Sequence, residues 1–207
     1  MAKPILVLGT RNKKKLGELQ LLLGPLGLEL LTLDAFPASL EVEETGNSFA
    51  ENAALKASQQ AKAIGAWVLG EDSGLAVDAL RGAPGIYSAR FSGPDATDEK
   101  NNNLLLEELK SVPLEKRTAH YVCSAAISDP QGNIRCVSEG TCQGRIRFER
   151  YGAGGFGYDP LFEIMEYHRT FGELSPAVKA AISHRSRAMR GLVPKLKSLM
   201  AQGQWLA

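Results

Sequence analysis

The sequence predicts an α/β fold built on a mixed β-sheet. Three observations carry that prediction. Short apolar, strand-like runs alternate with segments of helical periodicity along the chain. Two β segments between residues 120 and 143 are joined by a tight turn, which makes part of the sheet antiparallel. The composition, 44% hydrophobic and 23% charged over 207 residues, is that of an ordinary globular protein. A chain of this length buries roughly 70–75% of its unfolded surface. One domain spanning residues 1–207 is the expectation.

Residues 5–9, Ile5-Leu6-Val7-Leu8-Gly9, read as a buried strand. Residues 13–24 read as a helix, with Leu16, Leu19 and Leu23 on one face and Gly24-Pro25 as its stop. A second strand is expected at 28–33, then a loop over 34–45 that carries Glu41, Glu43 and Glu44. Asn47 or Ser48 caps a long helix reaching Ile64, and Gly65 ends it. Phe49, Ala53, Ala57, Ala61 and Ile64 form its apolar face, while Asn52 and Lys56, four apart, share another. Strands at 67–70 and 75–80 flank Glu71-Asp72-Ser73-Gly74, which reads as an acidic turn. Residues 81–95 form a Gly- and Pro-rich ordered loop, and Asp95 or Thr97 caps a helix to about Lys110. The β segments at 120–129 and 132–143 enclose the turn Asp129-Pro130-Gln131-Gly132, with a short strand expected at 145–149. Residues 151–162 are rich in glycine. Helices at 175–182 and 184–201 close the chain.

A net charge of +1 argues against broad nucleic-acid or membrane binding, and no helix-turn-helix, zinc finger or basic stripe is present. Any anion site must be a local cluster. Cys123, Cys136 and Cys142 are odd in number and form no C-x-x-C pair, so neither a disulfide nor a zinc site is expected. That usage fits a reducing compartment. The first apolar run is too short for a leader or a membrane span, and the Leu-rich stretch over 19–33 is broken by Gly24-Pro25, Gly27 and Glu29. A cytoplasmic location is the expectation.

Five groups of residues can carry chemistry. Thr10-Arg11-Asn12-Lys13-Lys14-Lys15 lies between a strand and a helix start, where backbone N–H groups and the helix dipole favour phosphate; a polar cap with a solvated basic face is the plainer alternative. It lacks the glycine spacing of a Walker A loop. Glu43-Glu44-Thr45-Gly46 with Asn52 and Lys56 offers a metal carboxylate and a phosphate contact, though acids also suit a helix N-terminus for dipole reasons alone. Glu71-Asp72-Ser73-Gly74 offers carboxylates for magnesium, or an acidic turn facing solvent. The segment from Gly152 to Pro160 contains a G-x-G-x-x-G run, but Pro160 argues against a following helix. It reads better as a loop bringing Phe156 and Tyr158 to a flat ring, with Asp159 as anchor. Finally, Lys179 and the first turn of the last helix, Ser183-His184-Arg185, place cations where the dipole disfavours them, which points to a nearby anion or base carbonyl.

Taken together these segments resemble the Ham1/inosine triphosphatase-like family of pyrophosphatases acting on non-standard purine nucleoside triphosphates. The resemblance rests on Thr10-x-Asn12-x-x-Lys15, Glu43-Glu44-Thr45-Gly46, Glu51-Asn52-Ala53-x-x-Lys56-Ala57 and Asp72-Ser73-Gly74-Leu75. It continues through Gly82-Ala83-Pro84-Gly85-Ile86-Tyr87-Ser88-Ala89-Arg90, Gly155-Phe156-Gly157-Tyr158-Asp159-Pro160 and Ile182-Ser183-His184-Arg185, in that order over nearly the whole chain. It implies an elongated mixed sheet flanked by helices, two lobes with a central cleft, and a homodimer. It also implies hydrolysis of ITP, dITP and XTP to the monophosphate and pyrophosphate with Mg2+.

Residue by residue, the resemblance implies that Thr10, Arg11, Asn12, Lys13, Lys14, Lys15 and Lys56 bind the triphosphate, and that Ser73 contacts the substrate. Asp72 is then the metal ligand and proton acceptor, joined by Glu43 or Glu44, with Glu43 favoured. Phe156, Gly157, Tyr158, Asp159, Lys179, His184 and Arg185 hold the nucleotide. The bacterial pattern has Asp-Asp-Ser-Gly where this chain has Glu71 first, a longer arm. A donor from Arg185 or a backbone N–H aimed at purine O6 would accept inosine and xanthosine and meet the amino group of adenine, at about 1–3 kcal/mol per unsatisfied group. The alternatives are a Maf-like pyrophosphatase of other base specificity and a non-catalytic nucleotide-binding module.

Overall fold

The computed structural model describes residues 3–205. Seven strands, β1 (Ile5–Leu8), β2 (Glu29–Thr32), β3 (Val68–Val77), β4 (Thr118–Ser128), β5 (Ile134–Ile146), β6 (Phe162–Ile164) and β7 (Arg169–Thr170), lie in the order β2-β1-β3-β4-β5-β6-β7. Five α-helices accompany them: α1 (Lys13–Leu23), α2 (Phe49–Ile64), α3 (Asp98–Glu108), α4 (Pro176–Ile182) and α5 (His184–Ala201). β1 runs parallel to both β2 and β3, whereas β5, β6 and β7 pair antiparallel, so the sheet is mixed as expected. The chain divides into two compact units. Among the described residues the first comprises 3–72, 123–140 and 185–205; the second comprises 73–122 and 141–184.

In the first unit the strand alternation sorts side chains onto two faces. Leu6 and Leu8 of β1, Leu69 of β3, and Cys123 and Ala125 of β4 pack with Leu19 and Leu23 of α1 and Ala188, Leu192 and Leu196 of α5. Each buried leucine contributes about 1.5–3 kcal/mol. On the opposite face, Ala61 meets Val7 and Val68, and Ala53 and Ala57 meet Ala126. The close seat of α2 requires Gly70: a Cβ there would fall 2.2 Å from the Ala53 carbonyl oxygen and 2.5 Å from the Ala57 nitrogen. The second unit has its own core, including Leu75, Val77, Leu105, Leu109, Tyr121, Phe162 and Phe171.

Of the caps expected, Ser48 and Thr97 form, each accepting an N–H three residues on, and Gly65 closes α2 at φ 65°; Ser175 caps α4 in the same way. Two expectations are corrected. The stretch from Val68 to Val77 is one continuous strand, not two strands around an acidic turn. Glu71 and Asp72 sit in mid-strand because cations from distant segments meet each of them. Of the strand expected at 145–149, only Arg145 and Ile146 are strand, as the end of β5, and 147–149 are irregular; the short β6 and β7 follow the glycine-rich loop. Among the described residues no helix is long and apolar enough to cross a membrane, and Cys123, Cys136 and Cys142 are free thiols.

Candidate active site

β3 ends its first-unit portion in two acids, and alternation points them to opposite faces. Asp72 faces α2, where Lys56 and Asn52 stand one helical turn apart. Lys56 Nζ lies 2.9 Å from Asp72 Oδ1, and Asn52 Nδ2 donates to Oδ2 at 3.3 Å. The Asn52 Oδ1 accepts in turn from the Gly46 N–H at 2.8 Å, which fixes the amide and ties the 43–46 loop to the helix. Lys56 also pairs with Glu44 at 2.6 Å and donates to the Glu71 carbonyl at 3.3 Å.

Both members of the central pair are shifted upward. Burial raises the Asp72 carboxyl above its ordinary value, and Lys56 and Lys15 pull it only part of the way back. Burial alone would lower Lys56, but Asp72 and Glu44 together outweigh it and hold the ammonium above the lysine range. The result is a buried carboxylate with raised basicity beside a firmly charged ammonium.

Glu71 faces the α1 and α5 side. Its Oε1 accepts from Arg185 Nη2 at 2.9 Å and from the Cys123 thiol at 3.2 Å, and its Oε2 lies 2.9 Å from Lys15 Nζ. Arg185 Nη1 is paired with Glu18 of α1. The anion that the cations of the last helix pointed to is therefore, in part, protein carboxylate.

The segment 10–15 is organised by Asn12, the N-cap of α1. Its Oδ1 accepts from the Lys14 and Lys15 N–H groups at 3.0 and 3.2 Å, and Thr10 Oγ1 accepts from the Asn12 N–H at 3.2 Å. Two of the N–H groups expected to be open for phosphate are thus occupied by the cap. Arg11 reaches the Leu40 carbonyl and Ser39 Oγ at 2.8 and 2.9 Å, bracing the 34–45 loop. Lys13 and Lys14 stand exposed on the first turn, and Lys15 is half-buried against Glu71. Of the paired glutamates, Glu44 reaches Lys56, while Glu43 is exposed. Ser73 follows Asp72 in β3, half-buried.

The remaining predicted residues belong to the second unit, apart from Arg185. Asp159 Oδ2 accepts from the Phe156 N–H at 2.8 Å and from Lys179 Nζ at 2.6 Å, and Lys179 Nζ sits 4.5 Å from the Phe156 ring centre. Phe156 is half-buried. Tyr158 differs from the expectation of a ring offered to a ligand: it is buried in the second core, and its hydroxyl donates to the Ser88 carbonyl at 2.8 Å. Burial pushes that phenol upward. His184 stacks on Tyr121 with ring centres 4.6 Å apart. Two residues of α3 escaped the sequence reading. Asp98 Oδ2 accepts from the Gly157 N–H at 3.0 Å, and Asn102 Nδ2 donates to the Gly157 carbonyl at 2.8 Å. Their i, i+4 spacing at a helix start was the available signal.

Asp72 and Glu44 give two carboxylates on either side of Lys56. Among the described residues no group of three or more His, Cys, Asp or Glu is gathered closely enough for a metal centre made by protein alone. Two carboxylates completed by substrate phosphates and water is the usual donor set for Mg2+, so these residues fit that ion and fit a zinc site poorly.

The Ham1 family model matches residues 6–195. The dITP/XTP pyrophosphatase of Rhodopirellula baltica is 53% identical over 195 residues, covering 94% of each chain. That of Exiguobacterium sibiricum is 47% identical, covering 95% of this chain and 99% of its own. Among solved structures, a HAM1 protein from Coxiella burnetii superposes with a TM-score of 0.85 at 37% identity, covering 94% of this chain and 98% of its own. The Staphylococcus aureus Ham1 protein gives 0.83 at 36%, with the same coverage. With a family match over most of its length and relatives of this identity, the chain belongs to the Ham1 family.

Proposed function

We propose that this chain hydrolyses dITP, XTP and ITP to the nucleoside monophosphate and pyrophosphate. The observation that carries the reading is Asp72, a buried carboxylate fixed by Lys56 and Asn52, in a chain whose relatives are named dITP/XTP pyrophosphatase. Water attacks the α-phosphorus. One P–O bond forms and the bond to the bridging α–β oxygen breaks. Asp72 accepts the water's proton as the general base. Lys56 and Lys15 meet the charge that develops on the departing pyrophosphate. Magnesium, when bound, would be held by Asp72 and Glu44 and would neutralise phosphate charge.

On the purine side, Phe156 offers a ring face. Lys179, held by Asp159, offers a donor suited to the O6 carbonyl of hypoxanthine and xanthine. Adenine presents an amino group there, leaving donor against donor at about 1–3 kcal/mol per unsatisfied group. A Maf-like specificity or a purely binding role finds no such support among the relatives.

A magnesium-dependent pyrophosphate-release assay over ITP, dITP, XTP, ATP and GTP tests the reading. Selective release from the first three is expected, and nucleotide binding without release would refute it. We also propose a cytoplasmic homodimer. Free thiols fit a reducing compartment, and symmetric dimers are the commonest assemblies. Light scattering in solution checks the assembly.

A further inference from the structure

Phe156 stands between two glycines, and Gly155 and Gly157 hold φ at 74° and 60°. A glycine-rich segment loses more freedom on ordering than any other, so a ring carried on it keeps one place only if the backbone is tied down. Packing does not do this alone, since the ring is half-buried and residues 152–155 are exposed. Instead, every backbone polar group of Phe156 and Gly157 has a hydrogen-bond partner. Asp159 takes the two of Phe156: its Oδ2 accepts the N–H at 2.8 Å, and its own N–H donates to the carbonyl at 3.2 Å. Helix α3 takes the two of Gly157. Asp98 Oδ2 accepts the N–H at 3.0 Å, and Asn102 Nδ2 donates to the carbonyl at 2.8 Å.

The same helix holds the other end of the segment. Arg150 donates to the Glu99 carbonyl at 3.3 Å and to Asn103 Oδ1 at 2.6 Å. Less than two turns of α3 therefore grip the chain at residue 150 and again at residue 157. An acid in the first turn of a helix suits the dipole by itself, so Asp98 alone would say little. Asn102 is the independent observation. Asparagine is a poor helix former, and this one is buried, with an Oδ1 that accepts no hydrogen bond among the described residues. A buried acceptor left unpaired is costly. The amide is held for its donors, which go to the Asp98 carbonyl at 2.7 Å and to Gly157.

We infer that Asp98 and Asn102 are positioning residues for the purine: they fix the Gly157 peptide, and through it the plane of the Phe156 ring. The inference rests on the proposed reading that Phe156 faces the base. A ring face holds substrate and transition state alike, so loss of the clamp raises KM and spares kcat.

The test combines kinetics with hydrogen–deuterium exchange. Asp98→Ala and Asn102→Leu are each expected to raise KM for ITP about 3–10-fold, the size of one hydrogen bond, with kcat within about twofold. Inhibition by IMP, which carries the base, should weaken by the same factor, whereas inhibition by pyrophosphate, which has none, should stay within about twofold. Asp98→Asn keeps an acceptor for the Gly157 N–H and should recover most of the loss. Without any substrate, the Gly157 amide should exchange at least ~3-fold faster in Asp98→Ala and near the wild-type rate in Asp98→Asn. Thr97→Ala is the control: the Thr97 hydroxyl oxygen caps α3 by accepting from the Lys100 N–H at 3.1 Å. Its loss should lower the melting temperature and leave KM within about twofold.

A wild-type KM in Asp98→Ala, with the Gly157 amide deprotected, would overturn the inference. So would a Thr97→Ala protein whose KM rises as far as that of Asp98→Ala, because α3 would then act through its stability alone. A wild type that releases no pyrophosphate from ITP would overturn the proposed function itself, and this inference with it.

Discussion

Gly70→Ala tests whether the seat of α2 on the sheet sets the catalytic geometry. A Cβ at this position would lie 2.2 Å from Ala53 O, 2.5 Å from Ala57 N and 2.9 Å from Ala57 Cβ. The first two are helix backbone atoms and cannot rotate aside. Restoring an ordinary C···O contact of about 3.3–3.6 Å requires α2 to retreat by roughly 1 Å. The segment that retreats carries Asn52 and Lys56. Lys56 is long enough to follow Asp72, but the Asn52 contact is already 3.3 Å and would be lost. Overpacking of this kind costs about 1–3 kcal/mol of stability. A misplacement of about 1 Å at a catalytic group costs on the order of 100-fold in rate. Pyrophosphate release at saturating ITP and a thermal melt by circular dichroism measure the two effects. Gly17→Ala, where an added Cβ meets no atom within 4 Å, is the control and should stabilise α1 by up to about 1 kcal/mol. A Gly70→Ala protein with wild-type kcat and an unchanged melt would refute the reasoning.

Asp72→Asn should lose at least ~100-fold in turnover with the fold intact, the loss expected when a general base is removed; near-normal pyrophosphate release in that variant would refute the assignment. Glu44→Gln should raise the magnesium concentration needed for half-maximal activity, whereas Glu43→Gln, altering an exposed side chain, should leave it unchanged; a magnesium titration of both decides which glutamate matters. Glu163 is buried, which alone would raise its pKa, yet Arg145 and Arg147 outweigh burial and hold it below its ordinary 4.5. Its folded-state pKa is depressed, so its contribution is present above 4.5 and is lost as pH falls below that value through the folded pKa. Glu163→Gln should cost about 1–3 kcal/mol near neutrality, and the gap to wild type should close in acid, as urea melts across pH would show.

Much of the architecture could be read from local pattern. The leucines of α1, the alanines of α2 and the caps Ser48 and Thr97 lie within one helix each, and so do the forces that place them. The acids of β3 were harder. Two carboxylates in sequence with Ser and Gly suggest a turn, because an isolated strand would leave them unpaired in the sheet interior. Their partners, Lys15, Lys56 and Arg185, come from three other segments, and no window of the sequence joins them. Tyr158 is hidden for a related reason: among glycines it reads as a free ring, but its surroundings come from β4, β6 and α3. The spacing of Asn52 and Lys56 places them on one face; that the Asn52 amide orients Asp72 depends on where α2 lies on the sheet.

The pleat of β3 carries a further implication. Glu71 and Asp72 share a peptide bond yet serve separate clusters on opposite sides of one layer. An insertion or deletion of a single residue between Val68 and Asp72 would deliver each carboxylate to the wrong set of cations, whereas a change of two would preserve parity. Across the descendants of such a chain, length variation in this strand should therefore be confined to even steps, even where the amino acids themselves are free to drift.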